Sequence, residues 1–280
     1  MQAELSGTRT ANQARIQGLC ANASGLDLLL LPELHAGPYP GIELAATQQA
    51  TAETVPGPTS DFLSMLARTL QAVVVGSVYE QAQPGYGYNT ALVFERDGQL
   101  VGRYRKTHIP HDPGFEEKYY FRPGAGPLTP VKTSAGQLGV LVCWDQWFPE
   151  AARCQALAGA ELLLYPTAIG RLATESEADG AEQCERWQLV QRSHAICNGL
   201  PLLCANRWGT ETSTQRVLHF WGQSFIAGQR GELKQVAPAA EDQLLVETLD
   251  LSETATVRQQ WPFLRDRRPD LYAALNDPHH

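Results

Sequence analysis

A cysteine stands where an apolar run ends: Leu138-Gly-Val-Leu-Val-Cys143-Trp-Asp-Gln-Trp-Phe-Pro-Glu150. The run has strand character, and a helical pattern starts a few residues later. A thiol at such a junction can face a pocket while the backbone N–H groups after it point the same way, which is how a nucleophile is displayed. Two other polar residues close strand-like runs in the same manner: Glu33 follows Leu-Leu-Leu-Leu-Pro, and Lys106 ends Val-Gly-Arg-Tyr-Arg-Lys. Taken singly, each has an ordinary explanation as a turn carboxylate, a solvated lysine or a small buried hydrophobe. Together, a carboxylate, a cation and a thiol delivered to one rim of a sheet are the parts that acyl transfer through a thioester requires.

The elements that must position them read as follows. Residues 8–24 carry a weak helical pattern, and 25–33 a fully buried strand. A Pro/Gly loop at 37–41 precedes a helix at 59–70. Strands follow at 72–79, 89–95 and 100–106, the last two joined by the tight turn Arg96-Asp-Gly-Gln99. From Thr107 to Pro130 the chain is a long aperiodic loop, of the kind that is usually functional in a compact domain. Strand 138–143, helix 149–158 and strand 161–166 come next, then an irregular acidic segment, a helix over 181–198 and a strand at 201–205. Residues 220–227 and 232–236 read as a hairpin around Gly228-Gln-Arg-Gly231, with a last strand at 244–250 and a polar, partly helical tail.

Gly25-Leu-Asp-Leu-Leu-Leu-Leu-Pro-Glu33 is echoed by Gly159-Ala-Glu-Leu-Leu-Leu-Tyr-Pro-Thr167, each after a helical segment. The echo points to two similar helix–strand halves related by an internal pseudo-twofold. Strands that are nearly continuous in apolar residues have both sheet faces covered, so helices lie outside and sheets pack inside. No Gly/Ser or charged linker divides the 280 residues, which read as a single domain over 1–280.

Composition narrows the function. A net charge of −8 and the absence of a basic stripe argue against nucleic acid. Apolar runs such as Leu28–Leu31 and Leu162–Tyr165 are far too short to span a bilayer. No basic, apolar leader opens the chain, so a cytoplasmic protein is expected. The six cysteines form no C-x-x-C pair and no zinc-ligand spacing. Reduced thiols and no metal site are expected, with Cys143 alone in a setting that asks for chemistry.

The set Leu-Leu-Pro-Glu33, Tyr-Arg-Lys106-Thr-His-Ile-Pro and Gly-Val-Leu-Val-Cys143-Trp-Asp-Gln-Trp-Phe-Pro-Glu-Ala resembles the nitrilase, or carbon–nitrogen hydrolase, superfamily over nearly the whole chain. The loop His111-Asp-Pro-Gly-Phe-Glu-Glu117-Lys-Tyr-Tyr-Phe121, with Cys143-Trp-Asp-Gln-Trp-Phe, is similar to one branch in particular, the N-carbamoylputrescine amidases. So are Ala205-Asn-Arg207, Phe220-Trp-Gly-Gln-Ser-Phe-Ile-Ala-Gly228 and Arg265-Asp-Arg-Arg-Pro-Asp-Leu-Tyr272. The resemblance implies an α-β-β-α sandwich and cofactor-free hydrolysis of N-carbamoylputrescine to putrescine, CO2 and ammonia. It also implies a homo-oligomer built from dimers, up to an octamer, with the tail 252–280 at an interface. Two departures stand out: the first strand, which the pattern expects to end near a Gln, is missing or shortened where this chain starts at Met1-Gln2, and the segment 168–180 is longer than the pattern.

The resemblance implies roles that physical chemistry can check. A free thiol titrates near 8.5, so Cys143 needs help at neutral pH. Glu33 can supply it as general base and return the proton to the departing nitrogen. Lys106 favours a thiolate and can stabilise the oxyanion together with the Trp144 N–H. The position matching the family's second glutamate is Glu117, which would hold Lys106 and orient substrate or water; Glu116 is the neighbouring alternative.

A carbamoylated diamine also carries a distal ammonium, which needs a carboxylate or an aromatic face. The candidates are Glu175, Glu177, Asp179 and Glu185, with Tyr39 and Trp147 as walls. Asn206 and Arg207 follow a strand and can either bind or cap, and Trp187 and His194 read as packing residues. The alternatives are a β-ureidopropionase-like or ω-amidase-like enzyme, which would want an arginine in place of those acids, and a non-catalytic binding member.

Overall fold

The computed structural model describes residues 1–83 and 85–277. The first half holds β1 (Ala3–Glu4), α1 (Arg9–Cys20), β2 (Leu28–Leu30), α2 (Ala46–Gln49), α3 (Pro58–Leu70), β3 (Val73–Gln83), β4 (Tyr86–Phe94) and β5 (Leu100–Arg105). The second half holds β6 (Val131–Thr133), β7 (Gly136–Val140), α4 (Pro149–Leu157), β8 (Leu162–Thr167), β9 (Gly170–Leu172) and α5 (Glu177–Asn198). It continues with β10 (Leu202–Thr212), β11 (Val217–Trp221), β12 (Phe225–Ala227), β13 (Leu233–Val236) and α6 (Glu253–Gln260).

Two sheets face each other. One runs β2-β3-β4-β5; the other, nine-stranded among the described residues, runs β13-β12-β10-β8-β7-β6, with β1, β11 and β9 attached beyond β10. Alternation along β3 shows the layering directly. Val73 and Val75 point into the core shared with Val140, Leu163 and Leu202 of the other sheet. Val74 and Val78 point outward to Ile16 of α1 and to Phe62 and Leu66 of α3. Ala152 of α4 and Trp187 and Ala195 of α5 cover the second sheet. The result is the four-layer α-β-β-α sandwich, with β8 and most of β3 buried and apolar because both their faces are covered.

The echoed halves occupy opposite sheets. β2 lies parallel to β3, and β8 lies parallel to β7 and β10. The two echoes meet at their ends, where the Glu33 N–H donates to the Thr167 carbonyl at 3.2 Å.

Several expected boundaries change. The short β1 pairs in parallel with β10, Ala3 opposite Arg207. The acidic segment is not irregular throughout: it contains β9, and α5 begins at Glu177 under a Ser176 cap whose hydroxyl accepts from the Asp179 N–H. Acidic residues in a first turn suit the helix dipole, which is why they sit there. β10 runs on to Thr212 because its first half pairs with β8 and β12 and its second half with β11. The stretch 220–227 divides between β11 and β12. Residues 244–250 form no strand; Leu244, Leu245 and Val246 lay their side chains over the ends of β2 and β10.

Candidate active site

Three strand ends converge. β2 ends two residues before Pro32-Glu33, β5 ends at Arg105 so that Lys106 is the next residue, and β7 leads through Leu141 and Val142 to Cys143. Cys143 is not the last strand residue that the apolar run suggests; it opens a 3-10 turn over Cys143–Trp147. Its φ of +42° lies in the left-handed region that a non-glycine residue rarely occupies. Such strain is kept where it displays a functional side chain.

Glu33, Lys106 and Glu117 are each fully buried. Lys106 Nζ donates to Glu33 Oε1 at 2.9 Å and to both oxygens of Glu117 at 2.9 and 2.7 Å. Asn89 Nδ2 donates to Glu33 Oε1 at 2.6 Å, and the Tyr39 hydroxyl donates to Glu117 Oε1 at 2.6 Å. Glu33 Oε2 is buried without a partner. One oxygen of Glu33 is thus tied down and the other left open, as a proton acceptor needs to be.

The electrostatics follow from one cation among two carboxylates. Burial works against the Lys106 charge, but Glu117 and Glu33 outweigh it and hold the ammonium charged well above its ordinary range. Burial and then the Glu33 charge push the Glu117 carboxyl up against the pull of Lys106. Cys143 goes up strongly, through burial first and Glu33 second, with Lys106 opposing. The help expected from Lys106 is therefore present but overridden: the resting group is a thiol, and a base must take its proton during attack.

A second set of bonds joins the Lys106 loop to the cysteine turn. Asp145 Oδ1 accepts from the His108 backbone N–H at 3.0 Å and lies 2.7 Å from His108 Nδ1. Its Oδ2 accepts from the Tyr104 hydroxyl and the Val142 N–H, both at 2.8 Å. Trp187 Nε1 and His194 Nε2 reach the side-chain oxygen and backbone carbonyl of Gln146, each at 2.8 Å, so both brace this turn from behind.

Cys143 opens on a cavity of about 580 Å³ whose wall includes Trp144, Trp147, Phe115, Leu172, Trp221 and Glu175. Trp144, Trp147 and Glu175 are thus brought to the thiol. Tyr39 is not a wall: it is fully buried behind Glu117 and serves as its hydrogen-bond donor, staying protonated because burial and Glu117 push its hydroxyl well up. Glu185 and Glu177 line a separate cavity of about 670 Å³. Asp179 lies in the first turn of α5, its carboxylate bonded to Ser176. Asn206 is buried, with its amide on Ile169 N–H, Ile169 C=O and Gly222 C=O, so it braces the cavity wall rather than lining it. Glu116 pairs with Arg216 at 2.9 Å, away from Lys106.

Sequence reasoning did not single out Asn89, Asp145, Gln183 or Arg186. For Asn89 a signal exists: in the β4–β5 pairing Thr90 faces Arg105, and the Lys106 N–H donates to the Asn89 carbonyl at 2.8 Å. A polar residue heading a buried strand was legible, but its partner was not. Among the described residues, no group of three or more His, Cys, Asp and Glu side chains could hold a metal ion, and no helix is long and apolar enough to cross a membrane.

Known proteins place this arrangement. The chain is 41% identical over 261 residues to an N-carbamoylputrescine amidase of Solanum lycopersicum, covering 91% of this chain and 85% of that protein. It is 36% identical over 275 residues to a citrullinase of Francisella tularensis subsp. tularensis, covering 97% and 95%. The crystal structure of a carbon–nitrogen hydrolase from Helicobacter pylori G27 superposes with a TM-score of 0.92 at 41% identity, over 99% of this chain and 97% of that one. The carbon–nitrogen hydrolase family model matches residues 1–259, and the chain, with its thiol on a strained turn at the rim of the sandwich, belongs to that family of C–N bond hydrolases.

Proposed function

We propose that this enzyme hydrolyses N-carbamoylputrescine to putrescine, CO2 and ammonia through a covalent intermediate on Cys143. One carboxylate carries the substrate reading. Glu175 stands in the wall of the cavity that holds Cys143. Leu172 N–H binds its Oε2 at 2.6 Å and Gln183 Nε2 its Oε1 at 2.7 Å, so it is aimed before a ligand arrives. A distal ammonium can meet it while aromatic faces flank the methylene chain. The similarity to N-carbamoylputrescine amidases at about 40% identity supports the same reading.

Glu33 Oε2 takes the thiol proton as Cys143 Sγ bonds to the carbamoyl carbon. The Lys106 ammonium and the Trp144 N–H stabilise the oxyanion, and Glu117 keeps Lys106 in place. Collapse expels one carbamoyl nitrogen, which leaves with the proton from Glu33. Water then gives a proton to Glu33 and its oxygen to the S-acyl carbon, Cys143 departs as a thiol, and the carbamic acid yields CO2. One water is consumed overall, with no cofactor.

The same reading carries a cytoplasmic enzyme of polyamine synthesis, assembled from dimers. Trp261, Phe263, Leu271, Tyr272 and Leu275 are exposed together in the tail, which suits an interface between copies.

Ammonia release by the purified protein tests the proposal. N-carbamoylputrescine is expected to exceed N-carbamoyl-β-alanine and small amides in kcat/KM by at least about a hundredfold. No turnover of any carbamoylated amine overturns it. A second reading, citrulline, is favoured by Arg186 in the same wall, which can take a carboxylate. Turnover of citrulline above N-carbamoylputrescine selects it.

A further inference from the structure

Behind the site, β10 carries two charged side chains that touch neither the cavity nor Lys106. Arg207 is fully buried and Glu211 is 7% exposed; Arg207 Nη1 donates to Glu211 Oε1 at 2.7 Å. Four residues apart on a strand, their Cα atoms lie roughly 13 Å from one another. An arginine and a glutamate joined head to head along that span form a bar lying under the loop from Glu33 to Tyr39.

The bar is attached at both ends. Arg207 Nη2 donates to the Glu33 carbonyl at 3.0 Å and to the Leu34 carbonyl at 2.9 Å. Two successive carbonyls can turn to one nitrogen because Leu34 is held at φ +48°, left-handed backbone that a leucine does not adopt unaided. The Leu34 N–H is fixed on the opposite side by Ser77 Oγ at 2.6 Å. At the other end Glu211 Oε2 accepts the Tyr39 N–H at 2.7 Å, and the Tyr39 hydroxyl holds Glu117 Oε1 at 2.6 Å.

We propose that Arg207 and Glu211 act as one positioning pair that sets both carboxylates around Lys106, Glu33 through its own backbone and Glu117 through Tyr39. The inference rests on the roles proposed above, Glu33 as the base and Glu117 as the carboxylate that keeps Lys106 in place. The pair does for the carboxylates what Asp145 does for Lys106 and Cys143. A lysine at 207 supplies the charge but not the fork that reaches two carbonyls and a carboxylate at once. A glutamine at 211 keeps an acceptor for the Tyr39 N–H but loses the ion pair.

The test uses Arg207→Lys, Glu211→Gln, Tyr39→Phe and the Tyr39→Phe/Glu211→Gln double variant. Alkylation of Cys143 by iodoacetamide, carried to completion and read on its own peptide because Cys154 and Cys197 are exposed thiols, counts the reactive sites and gives a pH profile without any substrate. Expected are kcat values per titrated site lowered by up to about 100-fold, the cost of a misplacement near 1 Å, with KM little changed. The double variant falls no further than its worse single member. The acid limb of the turnover profile moves to higher pH in Tyr39→Phe, because Glu117 loses a bond that favours its charged form, whereas the Cys143 alkylation profile moves to lower pH, because a less charged Glu117 pushes the thiol up less. Fewer titratable sites and a lower Tm, with kcat per site and both profiles unchanged, overturn the proposal. Should Arg207→Lys not fold, Glu211→Gln and Tyr39→Phe carry the same readouts. If the wild type turns over no carbamoylated amine, the alkylation profiles alone decide whether the pair positions the carboxylates.

Discussion

Asn89 donates to Glu33 Oε1 at 2.6 Å, on the same oxygen that Lys106 uses, and thereby decides which oxygen of Glu33 stays open. Removing that bond frees the carboxylate to rotate between its oxygens. A hydrogen bond to a charged group contributes about 1.5–3 kcal/mol, so Asn89→Ala is expected to lower kcat/KM by roughly 10- to 100-fold. Steady-state ammonia release measures it, and a change under twofold removes Asn89 from the machinery.

The free enzyme holds Cys143 as a thiol. Burial and the Glu33 charge push it well above the ordinary range. Alkylation by iodoacetamide should therefore be slow at pH 7 and still climbing at pH 9. A plateau reached below pH 7 would show a preformed thiolate and remove the need for Glu33 as base.

Lys106 is the cation paired with two buried carboxylates, so its loss is expected to be a stability event as well as a catalytic one. Breaking a buried pair by removing one partner costs about 3–5 kcal/mol. In Lys106→Met, burial and the Glu33 charge leave Glu117 holding a proton that the unfolded chain releases near 4.5, the ordinary glutamate value. The folded state then binds more protons, and stability falls as pH rises through that window. Thermal melts should show a larger deficit at pH 8 than at pH 5. In the wild type the Lys106 contribution is fully present below 10.5 and is lost only above it.

Glu175 distinguishes recognition from chemistry. With N-carbamoylputrescine, Glu175→Gln is expected to raise KM about tenfold or more and to leave kcat within a few-fold. With N-butylurea, which lacks the distal ammonium, wild type and variant should be alike. Equal losses on both substrates would assign Glu175 to structure.

Asp145 holds four donors from three residues. Asp145→Ala strands them in a buried turn, at a cost of at least about 3 kcal/mol. In a chain of this size that lowers Tm by roughly 6–10 °C, and kcat should fall with it because the Lys106 loop and the Cys143 turn lose their shared anchor.

Glu33, Lys106 and Cys143 were legible because each interrupts or ends an apolar run, and a polar residue there has only the sheet rim to occupy. Glu117 lies in a stretch with no periodicity, so only resemblance pointed to it; in space, a 3-10 turn at Glu117–Tyr119 drops it onto Lys106. Tyr39 read as a wall because an aromatic near a catalytic residue suits one. Its backbone, held by Glu211 172 positions away, turns it behind the site instead. The acids of residues 175–185 looked interchangeable, but Glu175 precedes the Ser176 cap and is held by Leu172 and Gln183 in the wall of the Cys143 cavity, while Glu185 on α5 lines another.

By itself, the sequence determined the layers and the reactive groups. Apolar strands covered on both faces require helices outside, and the order of polar strand ends names a base, a cation and a thiol. Tertiary structure decided everything that depends on register and on distant partners: which oxygen of Glu33 stays open, that Cys143 rests as a thiol, and which acid shares its cavity. The reason is physical. Strand and helix character come from neighbours along the chain, whereas a buried charge takes its properties from whatever the fold packs against it, and here the groups concerned lie between 11 and 174 residues apart.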